Sequence, residues 1–103
     1  MDRIEQIRTF LQDNPKDNFL RHALALELIK IGKDSEAKTL FEAILNEYPD
    51  YVGSYYHLAK LFERNQQIET AKEWYLKGME ASKKAKDQHS YNELQAAYEN
   101  LVY

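Results

Sequence analysis

Apolar side chains recur at intervals of three and four along almost the whole chain. Leu20, Leu24 and Leu28 form one such run, Ala37, Leu40, Phe41 and Ile44 a second, and Tyr55, Leu58 and Phe62 a third. That spacing lines one face of a helix, and nowhere is it replaced by the strict alternation of a half-buried strand. The pattern predicts an all-α chain of six short helices at residues 2–13, 17–31, 34–47, 51–64, 67–84 and 88–102. The breaks between them carry their own chemistry. In "IGKDS" Gly32 can take the left-handed conformation past a helix end, and Asp34 or Ser35 can cap the free amide hydrogens of the next helix. In "RNQQ", at 64–67, Asn65 is the residue expected to stand in for glycine.

The runs repeat. Pro15 and Pro49 lie 34 residues apart, and the same offset sets Leu24 on Leu58, Ala25 on Ala59, Leu28 on Phe62, Ala37 on Ala71 and Phe41 on Tyr75. A fixed period of this length marks stacked helix hairpins, each of which buries its apolar face only against its neighbours. The flanks read as half repeats. Ile4, Ile7, Phe10 and Leu11 run up to Pro15 as Phe41, Ile44 and Leu45 run up to Pro49, which is a second helix without its first. Tyr91, Leu94, Tyr98 and Leu101 repeat the spacing of Tyr55, Leu58 and Phe62, which is a first helix without its second.

On these residues the chain resembles the tetratricopeptide repeat family. Residues 52–85 match its pattern with Tyr55, Leu58, Ala59, Phe62, Ala71, Tyr75 and Gly78, and residues 18–51 with Leu24, Ala25, Leu28, Gly32, Ala37, Phe41 and Pro49. Three positions depart from it. Arg21 stands where the family has a bulky aromatic, Ile44 where it has a small residue, and Lys83 where a proline would end the repeat, so the fifth helix is expected to run past its usual stop. The resemblance implies a short right-handed superhelical solenoid of antiparallel hairpins in a single domain, residues 1–103. Within it, 2–13 is an N-terminal half-repeat helix, 18–51 and 52–85 are the two repeats, and 88–102 is a capping helix.

It also implies function: a protein-protein interaction module, scaffold or adaptor, without catalysis or cofactor, that holds a peptide or protein segment in the concave groove of its first helices. By alignment that groove carries Phe19, His22, Leu26, Ile29 and Lys30 from the first repeat, and Tyr56, Lys60, Glu63 and Arg64 from the second, with Asn92 and Ala96 on the last helix. The lysine, asparagine and arginine set with which some members grip a terminal carboxylate is not reproduced, since His22, Leu26 and Tyr56 or His57 stand there. Tyr55, Leu58, Ala59 and Phe62 share one stripe and are packing, whereas Tyr56, about 100 degrees further round the helix, falls off it. Lys60 and Arg64, four apart on one face, can hold an acidic group, or Glu63 and its neighbours can neutralise them. The second helix is apolar nearly all round, so Leu26 and Ile29 serve a ligand, the first helix, or a second copy of the chain in a homodimer.

Charge narrows the partners. The 14 basic and 17 acidic residues are interspersed and give a net charge of -3, which disfavours nucleic acid, although an RNA-binding helical repeat is the further alternative. The only basic cluster, "KKAK" at 83–86, reads as a solvated helix end or, less simply, a phosphate site. Without cysteine there is no disulfide or thiolate chemistry, and without a long apolar run no membrane span, so a soluble cytoplasmic chain is expected. His22, His57 and His89 fall one per first helix, but with helix axes about 8–10 Å apart and no carboxylate at ligand spacing, no metal site is expected. No zinc-protease motif, phosphate loop or nucleophile elbow is present.

Overall fold

The computed structural model describes residues 2–103, and among them there are six α-helices and no strand. They group into two compact units, one ending at Glu47 and the other Tyr48–Tyr103. The first unit holds α1 (Arg3–Asp13), α2 (Asn18–Lys30) and α3 (Asp34–Glu47), with α2 packed between the other two. The second holds α4 (Gly53–Arg64), α5 (Ile68–Ala85) and α6 (Gln88–Val102), with α5 packed between α4 and α6.

Side-chain oxygens start three of these helices. Asp2 accepts from the Glu5 amide at 2.8 Å, Asp17 from Leu20 at 2.9 Å and Asp87 from Ser90 at 3.1 Å, each satisfying an amide that the helix itself leaves open. Three ends share another device. The amides of Lys33, Gln67 and Asp87 reach back to the carbonyls of Leu28, Phe62 and Ser82 at 2.9, 2.8 and 2.9 Å, with a left-handed residue just before each donor. Gly32 is that residue after α2, as expected, with φ 79°. After α4 it is Gln66 (φ 66°), not Asn65. The 34-residue offset from Gly32 lands on Gln66, and Asn65 instead turns its Nδ2 onto the Leu61 carbonyl at 2.7 Å.

The interior follows the predicted stripes. Leu24, Ala25, Leu28, Ala37, Phe41, Ile44 and Leu45 are buried in the first unit, and Tyr55, Leu58, Ala59, Phe62, Ala71, Tyr75 and Leu94 in the second. Leu61 and Ser54 join them. Phe10 departs from its stripe: Ile7 is buried, but Phe10, near the end of α1, is 59% exposed. In α5 the missing proline has the expected effect, for the helix runs 18 residues against 14 in α3 and stops only at left-handed Lys86.

Arg21, where an aromatic was expected, is buried. Its guanidinium donates to both carboxylate oxygens of Glu47 at 3.3 and 3.4 Å, to Asn18 Oδ1 at 2.9 Å and to the Lys16 carbonyl at 3.2 Å, while its buried Nε meets no acceptor. Tyr55, its counterpart in the second unit, donates its hydroxyl to the Pro49 carbonyl. Both side chains therefore tie the first helix of a hairpin to the loop that precedes it.

Candidate functional site

On α2 the groove candidates are of two kinds. Phe19, in the first turn, is 71% exposed, a large apolar surface left in water. Leu26 and Ile29 are half-buried, as is His22, whose ring meets the Phe41 ring edge-on at 5.4 Å and so belongs partly to the core. Exposed Lys30 is 2.9 Å from Glu27, which also lies 3.8 Å from Arg3 of α1.

On α4 the structure gathers the candidates into one network. Tyr56 is half-buried with its ring 6.4 Å from that of Tyr75, and Lys60 holds its ammonium 5.5 Å over the Tyr56 ring. Lys60 also lies 3.7 Å from Glu63, and Glu63 accepts the Tyr75 hydroxyl at 2.8 Å. Burial, then the bond to Glu63, pushes the Tyr75 phenol far above its ordinary range, so it stays a donor at every working pH. Glu63 thus engages Lys60 from within the same helix. Arg64 is exposed in the last turn, and Asn92 and Ala96 are exposed on α6.

Among the described residues no group of three or more His, Cys, Asp or Glu could hold a metal ion. His89 is 3.7 Å from Glu93 on its own helix, and half-buried His57 has its pKa lowered by desolvation, against a smaller opposing pull from Glu93. In the basic cluster Lys83 lies 5.3 Å over the Tyr91 ring and Lys86 forms the cap of α5, so these lysines finish a helix. No helix among the described residues is long and apolar enough to cross a membrane.

Hairpins with small residues where helices meet and aromatics on one stripe are the geometry of one repeat family, and direct comparison agrees. Two tetratricopeptide repeat models match in succession, at residues 17–51 and 52–84. A tetratricopeptide repeat domain protein of Salinibacter ruber, solved in solution, is 41% identical over 84% of this chain and 88% of its own, with a TM-score of 0.81. The chain belongs to the tetratricopeptide repeat family. A crystal structure of a tetratricopeptide repeat domain protein from the same organism has 41% identity, covers 84% of this chain and 96% of its own, and gives a TM-score of 0.80. A protein of Bordetella parapertussis with 20% identity covers 99% of this chain and 89% of its own at a TM-score of 0.85, a likeness of fold alone. No curated protein matches the chain. Tetratricopeptide repeats are in general protein-interaction and scaffold modules without chemistry of their own, and the chain takes that general role from its family.

Sequence reasoning missed one feature of this tetratricopeptide repeat chain. A cleft of about 540 Å³ opens in the second unit between the loop at Pro49 and the far end of α5. Its one advance signal was Lys83 in place of the terminating proline.

Proposed function

We propose that this tetratricopeptide repeat chain is a non-catalytic module that binds a peptide or protein segment on the outward faces of its first helices, α2 and α4. The observation that carries the reading is Phe19, 71% exposed in the first turn of α2 with half-buried Leu26 and Ile29 further along the same helix. An aromatic left in water on a face that the family uses for partners supports an apolar anchor there. On α4, Tyr56 offers a rigid ring with a polar tip, and Lys60 and Arg64 offer positive charge to an acidic ligand residue. Because Glu63 already engages Lys60, that contribution is modest and sensitive to salt.

The test is selection of binders from a displayed library of defined peptides with the full chain as bait, followed by titration of one winner. Phe19→Ala and Tyr56→Ala should each weaken it several-fold, and Lys72→Glu, on α5, should not. A winner that ignores both aromatics and is lost with Lys72→Glu moves the working surface to the second helices. A wild-type chain that sediments as a dimer, and becomes a folded monomer with Leu26→Glu, assigns the α2 face to a second copy instead.

A further inference from the structure

The two repeats solve the same junction differently. In the first unit the space between the first turn of α2 and the last turn of α3 is spanned by the Arg21–Glu47 pair at 3.3 Å. The 34-residue offset converts these positions to Tyr55 and Ala81. Tyr55 reproduces only the bond to the preceding loop, and Ala81 has no side chain with which to reproduce Glu47. Nor does the helix stop there, as α3 stops at Glu47, for α5 adds a further turn through Ala85. Where the first unit holds an ion pair anchored on buried Arg21, the second holds the open cleft, lined by Pro49, Tyr55, Ala81 and Ala85.

We propose that this cleft is a binding site, separate from the α2 and α4 faces, for a short peptide segment that carries one carboxylate beside a small apolar residue. The first unit shows the chemistry that the shape accepts, a carboxylate on a short carbon stem meeting a cation. In the second unit the stem finds the apolar floor, and the cation comes from the wall instead, where Lys77 and Lys84 flank the cleft. Positions 77, 81, 84 and 85 share one face of α5, which sets both lysines on the same side of the helix as Ala81 and Ala85. Lys77 is held 4.6 Å over the Trp74 ring, a partner that orients its charge without neutralising it. Lys83 and Lys86 border a separate recess beside Tyr91, so Lys77 and Lys84 are the cations of the cleft itself. Asp50 and Glu80 also border the cleft and set the limit, since they repel a second negative charge. A single carboxylate therefore fits better than a polyacidic run or a phosphate dianion. The volume lies within the range of sites that enclose small ligands, which suits a short extended segment rather than a docked helix.

The experiment uses the isotopically labelled full chain and two blocked tetrapeptides, acetyl-Ala-Leu-Glu-Ala-amide and its Gln counterpart, followed by amide and indole chemical shifts. The Glu peptide should shift Tyr55, Ala81, Ala85 and the Trp74 indole with a dissociation constant in the millimolar range, and the Gln peptide should bind about tenfold more weakly, as loss of a charge-assisted contact implies. Ala81→Glu, which copies Glu47 into the cleft, should abolish these shifts. Lys84→Glu should weaken them and, lying on the exposed wall, serves as the second variant if Ala81→Glu melts early. The proposal is overturned if Ala81 does not shift at millimolar Glu peptide, if the two peptides bind alike, or if inorganic phosphate competes as well as the peptide. Shifts confined to Tyr56 and Lys60 would also overturn it while leaving the α4 face as a site.

Discussion

At Gly78 the approach of α5 to its neighbours becomes a question of single atoms. A Cβ there would stand 2.6 Å from the Tyr55 Cβ and 3.0 Å from a Leu94 methyl. Alanine gains about 1 kcal/mol in helix propensity over glycine, but the first contact is with an atom fixed to backbone, and overpacking of that kind costs about 1–3 kcal/mol. Gly78→Ala is therefore expected to lower the melting temperature; an unchanged or higher value would mean that α4 and α5 are further apart than described. Gln66 gives the opposite sign. It holds φ 66°, in the region where glycine is at ease and Gly32 sits in the first repeat. Gln66→Gly should raise stability by about 0.5–1 kcal/mol, read as a higher urea midpoint with unchanged slope. Sequence missed this residue by one position because it weighed the intrinsic tolerance of Asn65 above the repeat offset. The turn needed its left-handed residue at a fixed distance from the last helical carbonyl, whatever side chain stood there.

For whole elements, what matters is how a first helix is tied down. In the first unit the tie is ionic, with its guanidinium buried: Arg21 is held by Glu47, Asn18 and a loop carbonyl, and its Nε is left without an acceptor. Removing one partner leaves a buried charge, whereas replacing both by groups that do without the charge avoids that penalty. Glu47→Ala should thus cost about 1–3 kcal/mol, reduced by the partial exposure of Glu47, while the pair Arg21→Tyr with Glu47→Ala, which copies Tyr55 and Ala81, should cost less than the single change. Urea denaturation of the two variants decides it, and equal losses would mean that the ion pair contributes nothing beyond packing. That an aromatic position carried Arg21 was visible in the sequence. That Glu47 would reach it was not, because 26 residues separate them and only the antiparallel hairpin brings their ends together.

For the molecule as a whole, the titration of His57 gives a pH test. Its folded-state pKa is lowered mainly by burial, so folding favours the neutral ring. The stability tied to that preference is complete above the ordinary histidine value of 6.5 and is lost as pH falls below it toward the folded value. Wild type should therefore lose urea midpoint relative to His57→Gln from pH 7.5 to pH 5.5, and a relative gain would contradict the burial of this ring.

The sequence alone determined the helix number, the repeat period and the interior stripes, because three-and-four spacing and a 34-residue self-match are local or periodic properties that need no knowledge of contacts. It also placed the extension of α5, since a missing proline removes the steric stop. Tertiary structure decided the rest. Phe10 lies on a helical stripe yet stays in water, because a stripe buries a residue only where a neighbouring helix extends far enough to cover it. Glu63 turns to Tyr75 and Lys60, and the Arg21–Glu47 junction becomes an open cleft in the next repeat. Such outcomes depend on distances between side chains of different helices, which no pattern along one chain can specify.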